Sequence, residues 1–326
     1  MMKRKTCWWS RGWLLCAMLA AAAGTAAQTY PSKPVRIVIG FAAGGSVDVL
    51  ARIVAQKLGE FWGQSVIVEN RVGAGGNIAT EVAAKSPADG STLLIHTMAI
   101  AVNVSLYKNL PFDTQKDLVP IMSVASTNGV LLMPASQPVQ SVRELVALAK
   151  SPSGKLAYGT TGNGSSGHLF MALFLSTTGV DAVHVPYKNI SQLYTDLISG
   201  RIQVSINTLP GAIPHINSGK LRALAVTGGR RAALYPDMPT LREAGVSGYE
   251  ALTWYGAFAP AGTSGAVVSK VNTDIQRLLA LAEVKQRLAG AGLDPQGDTP
   301  EQFTKYFRDE IAKWANVVKT TGMQIE

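Results

Sequence analysis

The sequence predicts an α/β protein made of two units in which strands and helices alternate. Three observations support this prediction. Apolar runs typical of buried strands alternate with segments whose apolar residues recur at helical spacing. Two of the strand-like runs end in glycine-rich turns, at residues 41–48 and 159–167, and each turn opens a helix-like run. The alternation then starts again further along the chain, which is typical of a protein that builds a parallel sheet twice.

The amino terminus has the pattern of a secretory signal peptide covering residues 1–27. Basic residues precede an apolar stretch from Trp13 to Ala23, and small residues at 24–27 offer a cleavage site. This stretch is much shorter than the roughly 20 residues that cross a bilayer, so we expect export and removal of the signal. Cys7 and Cys16 both lie in the predicted signal peptide. The mature chain would therefore have no cysteine for a disulfide, a zinc site or a nucleophile.

Removing the signal leaves 299 of the 326 residues and lowers the formal net charge from +9 to +5. This length is enough for two domains. The remaining basic residues are scattered and form no run of the kind that follows a nucleic-acid backbone, so we expect no nucleic-acid partner. The small positive excess favours anionic solutes, although ordinary solubility explains it equally well.

The first unit begins with a strand-like run from Val35 to Phe41. The apolar residues that follow recur at helical spacing until Gly59, where we expect this helix to end. Strands predicted at residues 65–70 and 92–96, with a helix at 78–85 between them, complete the first alternation.

The second unit contains five predicted strands with helices between them. The strands are predicted at residues 130–133, 156–159, 183–185, 204–207 and 224–227. Ser141 and Glu144 have the spacing of a capping box at the start of a helix, and further helices are predicted at 168–176 and 191–198.

After Tyr249 the pattern changes. Residues 254–260 are extended, and a helix with a clear apolar stripe follows from Val267 to Leu279. A final helix begins with a cap residue, a first-turn proline and a box partner at Thr299, Pro300 and Gln302.

These late helices follow no new strand–helix unit, so we expect them to pack back on the first domain. Domain 1 would then be discontinuous, with residues 28–124 and 254–326, and domain 2 would contain residues 125–253. Two strands would cross between the lobes near residues 120–130 and 250–258. Two such crossings make a hinge that can close on a ligand.

The two glycine-rich turns predict a site for an anion. The first amides of a helix have no intrahelical partner and lie at the positive end of the helix dipole, so each turn can bind an oxyanion through its backbone. Asp48 lies in the first helical turn, where three interpretations stay open: it complements the dipole, orders the glycine turn or meets a positive group of the ligand. Asn103, Asn163 and Asn207 lie at or just beyond predicted strand ends, on the side where α/β sheets bind ligands.

Other site chemistries are less well supported. Residues 162–167 match GxGxxG, but the acidic residue expected about 20 residues later in a dinucleotide site is missing. Neither Ser46 nor Ser165 lies in a GxSxG elbow. The four histidines show no metal-binding spacing, although His168 lies at the second glycine turn. We therefore expect no cofactor and no metal.

Six segments recur in a fixed order along the chain: YPSKPVRIVIGFAAGGSVDVLAR from Tyr30, VIVENRVGAGGNIATEVAAKSPADGSTLL from Val66, YGTTGNGSSGHL from Tyr158, HVPYKN from His184, LRALAVT from Leu221 and WYGAFAPAGT from Trp254. In this combination the chain resembles the tripartite tricarboxylate transporter receptors, also called the Bug family of periplasmic solute-binding proteins. The resemblance covers essentially the whole mature chain.

The resemblance implies a two-lobed receptor of the type II periplasmic binding protein architecture. Each lobe would be a mainly parallel sheet flanked by helices, and two crossover strands would form the hinge. It also implies a monomeric periplasmic protein that binds a small carboxylated solute and delivers it to the membrane subunits of a tripartite tricarboxylate transporter, without a cofactor and without catalysis. The ligand-binding residues implied by the family motifs are Phe41, Ala43, Gly44, Gly45, Ser46, Asp48, Thr97, Thr160, Gly162, Asn163, Ser165, Ser166 and Asn207.

Two other functions stay open. A periplasmic sensor could use the same bound state to signal to a membrane partner. A secreted enzyme acting on a small acid could use Asp48 and His168 as an acid–base pair.

Overall fold

The computed structural model of the protein describes residues 30–151, 154–162, 164–187 and 189–321, and the predicted signal peptide lies outside them. The strands are β1 (Val35–Ile39), β2 (Val66–Asn70), β3 (Thr92–Thr97), β4 (Leu118–Pro134), β5 (Leu156–Thr160), β6 (Ala182–Pro186), β7 (Val204–Thr208), β8 (Leu221–Val226), β9 (Leu252–Pro260) and β10 (Asp294–Pro295). The helices are α1 (Ser46–Trp62), α2 (Asn77–Ala84), α3 (Ala99–Leu106), α4 (Val142–Lys150), α5 (Ser166–Thr178), α6 (Ile190–Ile198), α7 (Leu209–Asn217), α8 (Gly265–Ala280), α9 (Ala282–Gly290) and α10 (Pro300–Thr321).

The strands form one curled sheet in the order β2-β1-β3-β9-β4-β7-β5-β6, and β8 and β10 also pair with β4. The long strand β4 joins two halves, because its residues 118–128 pair with β9 and its residues 129–134 pair with β7 and β8. We call the half with β1, β2, β3 and β9 the first lobe and the half with β5, β6, β7 and β8 the second lobe. The predicted α/β fold with two mainly parallel units is confirmed.

The strand directions show which edges of the two lobes face each other. β1 is parallel to β3, β3 is antiparallel to β9, and β9 is antiparallel to β4, so β1 and β3 run in the direction of β4. β5 and β7 run against β4. The carboxyl ends of β1 and β3 therefore point towards the second lobe, and those of β5 and β7 point back towards the first. Ligands bind at such carboxyl edges in open α/β sheets.

The capping residues predicted from the sequence are confirmed. The Glu144 amide donates to Ser141 Oγ at 3.2 Å. The Gln302 amide donates to Thr299 Oγ1 at 3.3 Å, and the Thr299 amide donates back to Gln302 Oε1 at 2.9 Å. Each contact supplies a partner to a group that the first helical turn leaves unpaired.

The predicted end of the first helix is wrong. α1 continues through Gly59 and ends at Gly63, whose φ of +61° lies in the left-handed region. The Gly63 amide donates to Gly59 O at 3.0 Å. A glycine inside a helix costs only about 1 kcal/mol, whereas a left-handed cap favours glycine, so the second glycine ends this helix.

The late helices contact both lobes. α8 packs on α1, whereas α10 packs on α3 and β4 and also on α5 of the second lobe. The rings of Phe170 in α5 and Trp314 in α10 stack with centroids 6.1 Å apart. The division into domains of residues 28–124 with 254–326 and residues 125–253 stays a prediction. No described helix is both long and apolar enough to cross a bilayer.

Glu310 links α10 to β9 through the buried indole of Trp254 and also contacts the indole of Trp314 in its own helix. Its Oε2 accepts hydrogen bonds from Trp254 Nε1 and Trp314 Nε1, both at 2.9 Å, and its Oε1 accepts from Lys313 Nζ at 2.9 Å. We expect Glu310→Gln to lower the free energy of unfolding by about 1–2 kcal/mol, because the amide nitrogen is a donor facing donors. Urea denaturation would measure this loss. Asp309→Asn, at an exposed neighbouring carboxylate, is the control, and equal effects of the two changes would contradict the prediction.

Candidate functional site

The first glycine turn is held from within by Asp48. This carboxylate is 3 % exposed. Its Oδ2 accepts from the Gly44 amide at 3.0 Å and from Arg52 Nε at 2.8 Å. Its Oδ1 accepts from Arg52 Nη2 at 2.9 Å and from Asn70 Nδ2 at 3.0 Å. Asn70 Nδ2 also donates to Phe41 O at 2.9 Å, so the carboxylate and the amide together fix both ends of the turn.

These contacts define the charge state of the turn. Hydrogen bonding to Arg52 is the main cause that holds the pKa of Asp48 well below its usual range, and the Gly44 amide and Asn70 act in the same direction against burial. Asp48 is therefore ionised, and Arg52 balances its charge within the first lobe. Of the three interpretations of Asp48, ordering of the glycine turn is the one that these hydrogen bonds display. A direct contact of Asp48 with a ligand stays a prediction.

The rest of the turn is exposed and opens α1. Ala43, Gly44, Gly45 and Ser46 are exposed, and Gly44 has a φ of +83°. Tyr255 of β9 donates its hydroxyl to Ser46 Oγ at 2.9 Å. Burial raises the pKa of Tyr255 to about 12, so this hydroxyl stays protonated at neutral pH. The start of α1 is thereby attached to the strand that lies next to β4.

A third glycine turn, residues 73–76, follows β2 at the same edge of the first lobe. Each of its residues has a positive φ, between +47° and +137°. Asn103 Nδ2 in α3 donates to Gly75 O at 3.1 Å and to Asn77 Oδ1 at 2.7 Å. Asn103 therefore supports this turn from inside a helix that the sequence did not predict. The run Gly-Ala-Gly-Gly, three residues beyond the end of β2, was the signal that could have identified this turn.

His96 in β3 lies behind the first and third turns. Its side chain is fully buried, and its ring packs edge-on against Phe41 with centroids 5.4 Å apart. Burial lowers the pKa of His96 to about 4, so the imidazole is neutral at physiological pH. Thr97, the next residue, ends β3, and its Oγ1 accepts from the Ala99 amide at 3.2 Å. Thr97 therefore lies at the carboxyl end of β3, and its contact with a ligand stays a prediction.

The second glycine turn starts at Thr160, the last residue of β5. The Gly162 amide donates to Thr160 Oγ1 at 3.2 Å, and the same hydroxyl lies 2.7 Å from His184 Nε2 in β6. Thr160 therefore shapes the turn from a fully buried position. Asn163, one of the predicted binding residues, lies outside the described residues.

Ser165 is the cap residue of α5, and its Oγ accepts from the His168 amide at 3.3 Å. His168 reaches back along the turn, where its Nδ1 accepts from the Gly164 amide at 3.2 Å. On the neighbouring strand β7, Asn207 Nδ2 donates to Ser205 Oγ at 2.8 Å, and Ser205 Oγ donates to Gly159 O at 2.6 Å. Asn207 is thus anchored beside the start of α5.

At the starts of α1 and α5, the amides that lack a partner differ from the glycine amides that the turns suggested. Within the described residues, no hydrogen bond within the protein involves the amides of Ser46, Val47 and Asp48 at the start of α1 or those of Ser166 and Gly167 at the start of α5. The amides of Gly44 and Gly162 donate within the protein instead. Both helix starts lie on the facing carboxyl edges of the two lobes. Backbone donors at a helix start can bind a carboxylate.

A separate groove of about 760 Å³ lies at the hinge, and the predicted binding residues do not line it. Arg230, Arg231 and Arg242 share it with Glu250 and Asp294. Two of these arginines form ion pairs with glutamates, so much of the positive charge is already balanced. We therefore place the candidate site at the facing helix starts rather than in this groove. Among the described residues, no group of three or more His, Cys, Asp or Glu could hold a metal ion.

The chain is similar to several known proteins. The family model described as "Tripartite tricarboxylate transporter family receptor" matches residues 50–323. Protein BugT of Bordetella pertussis is 36 % identical over 315 residues, which cover 96 % of this chain and 97 % of BugT. The structure of Rhodopseudomonas palustris Rpa4515 with adipate superposes with a TM-score of 0.78 at 37 % identity, covering 91 % of this chain and 100 % of Rpa4515. MatC from the same organism, with bound malate, has a TM-score of 0.73 at 28 % identity, covering 89 % and 100 %.

Proposed function

The chain belongs to the tripartite tricarboxylate transporter receptor family, and from that membership we propose that it is a periplasmic receptor for a small carboxylated solute. The solute would bind in the cleft between the lobes and be delivered to the membrane subunits of a tripartite tricarboxylate transporter. The observation that carries the proposal is the pair of facing helix starts, which offer unpartnered amides from both lobes.

The electrostatics of the cleft favour an anion. Because Arg52 balances the charge of Asp48, the first turn presents helix-dipole and amide donors without a free negative charge beside them. Hydrogen bonds to an ionised acceptor are the stronger ones, so a desolvated carboxylate can be held without a buried arginine. The two solved relatives described above contain adipate and malate, which are both dicarboxylates, and this supports a carboxylate as the ligand class.

The geometry does not favour the enzyme alternative. Asp48 belongs to the first lobe and is already ion-paired with Arg52, and its lowered pKa makes it a poor acid or base at neutral pH. His168 belongs to the second lobe and accepts a hydrogen bond from a backbone amide. We therefore propose binding without turnover. The sensory alternative shares the same cleft, and genes for transporter membrane subunits beside this one would favour uptake over signalling.

A thermal-shift screen of residues 28–326 tests the proposal. We expect at least one mono-, di- or tricarboxylate to raise the melting temperature by several degrees, because a ligand at about 100 times its Kd adds roughly 2.7 kcal/mol to the free energy of unfolding. Matched amides and esters are the controls and should cause no shift. No shift with any acid, together with no bound solute in native mass spectrometry, would contradict the proposal.

A further inference from the structure

His168 and His184 are two buried or half-buried histidines behind the second glycine turn. Their rings stack with centroids 4.0 Å apart, and the ring of Tyr158 stacks on His184 with centroids 4.9 Å apart. His168 is 7 % exposed and belongs to α5, His184 belongs to β6, and Tyr158 belongs to β5. Three elements of the second lobe therefore meet in one aromatic stack directly under the turn.

Each histidine contacts a different part of the turn. His184 Nε2 lies 2.7 Å from Thr160 Oγ1, at the point where the turn leaves β5. His168 Nδ1 accepts from the Gly164 amide, two residues before the free amides of α5 begin. We infer that His168 and His184 are positioning residues that hold the second glycine turn in its ligand-binding form, and that this hold requires the neutral imidazole of His168. The inference rests on the proposed function.

The requirement for a neutral ring follows from the direction of the hydrogen bond. Gly164 N–H can only donate, so His168 Nδ1 must offer a lone pair and carry its proton on Nε2. Protonation at Nδ1 removes that lone pair and places two donors opposite each other. The Thr160–His184 contact is more tolerant, because the hydroxyl can donate to Nε2 or accept from it. His168 is therefore the member of the pair whose charge state decides the shape of the turn.

The surroundings keep His168 neutral. The titratable groups that face it are His184 and Tyr158, and Lys155 and Asp181 line the same cavity of about 850 Å³. Burial is the main cause that lowers the pKa of His168 to about 4, and the neighbouring His184 acts in the same direction. Burial also lowers the pKa of His184. At neutral pH both rings are uncharged. If one imidazole is protonated, its positive charge opposes protonation of the other, because the ring centroids are 4.0 Å apart.

Two substitutions separate a positioning role from ordinary packing. His168→Asn places an amide oxygen near the position of the imidazole Nδ1, so it keeps an acceptor for Gly164, whereas His168→Leu removes the acceptor. With adipate and malate as probes, we expect His168→Leu to bind at least tenfold more weakly than the unaltered protein at pH 7.5. His168→Asn should bind at least threefold more tightly than His168→Leu. His215→Asn, at a histidine whose ring packs against Tyr194 of α6, is the control and should leave affinity unchanged.

An NMR titration of the ligand-free protein tests the inference independently of affinity, and a second titration with ligand tests the coupling. In an NMR titration, the Gly164 amide resonance should follow the same pKa as the His168 ring, and saturating adipate or malate should lower that pKa, since protonation and binding oppose each other. Two results would overturn the inference. One is equal affinity of the His168→Asn and His168→Leu variants for the probes, and the other is a Gly164 amide resonance that does not shift as His168 titrates. If the unaltered protein binds no carboxylate, the proposed function fails, and the Gly164 titration alone decides the role of His168.

Discussion

Replacing Gly44 by valine is expected to weaken binding of the carboxylate found in the thermal-shift screen at least 100-fold, while leaving the protein folded. Gly44 has a φ of +83°, which a β-branched residue avoids, so the first glycine turn must change its backbone. That change breaks the hydrogen bond from the Gly44 amide to Asp48 and moves the amides at the start of α1. A Cβ at Gly44 meets no atom within 4 Å, so no core contact is lost. Isothermal titration calorimetry would measure the affinity.

Gly200→Val is the matched control for this prediction. Gly200 has a φ of +78°, also has open space around a built Cβ, and lies just before β7, at the edge of the second lobe opposite the carboxyl ends. We expect both variants to lose a similar amount of unfolding free energy, on the order of 1–2 kcal/mol from backbone strain. Only Gly44→Val should lose affinity. If Gly44→Val retains its affinity, the first glycine turn does not belong to the binding site.

Replacing Gly76 by alanine is expected to have the largest effect on stability. Gly76 has a φ of +93°, and a Cβ built there would lie 2.0 Å from His96 Nε2. The His96 ring is fully buried against Phe41 and has little space to move. Backbone strain of about 1–2 kcal/mol and overpacking of about 1–3 kcal/mol together predict a loss of roughly 3 kcal/mol. Urea denaturation at pH 7.5 would measure it.

Gly245→Ala separates the two contributions to this loss. Gly245 has a φ of +98° but no atom within 4 Å of a built Cβ, so only the strain remains. The double variant Gly76→Ala/His96→Ala should be more stable than the sum of the single losses predicts, because removing the ring removes the clash. Additive losses would show that His96 is not the residue that forces glycine at position 76.

Much of the fold was accessible from the sequence, because the signals that carry it are local. Alternating apolar runs predicted each of the parallel strands, and the capping boxes at Ser141 and Thr299 marked helix starts correctly. The six ordered segments also indicated the family. α3, α7 and α9 were missed. α3 is apolar on every side and shows no periodicity, and α7 contains Pro210 and Pro214, which argue against a helix in a sequence.

Only part of the candidate site could be predicted from the sequence. The two glycine turns and Asn207 lie at the carboxyl edges where the sequence placed them, and Thr97 and Thr160, which the resemblance implied, lie there too. The sequence suggested no role for the third turn, residues 73–76, or for His184, and it suggested His168 only as the partner of Asp48 in an acid–base pair. The contacts of Asn103 with Gly75 and of Thr160 with His184 join residues 28 and 24 positions apart, and folding of the sheet rather than short spacing brings them together.

The sequence by itself determined the strand–helix alternation, the family and the turns where an anion could bind. Only the tertiary structure decided which side chains hold the first turn in place, because these contacts join residues that are far apart in the sequence. Asn70 of β2 donates to the Asp48 carboxylate, 22 residues away, and the Ser46 hydroxyl accepts from Tyr255, 209 residues further along the chain. Such partners are set by strand order and register, and neither is a property of a local stretch of sequence.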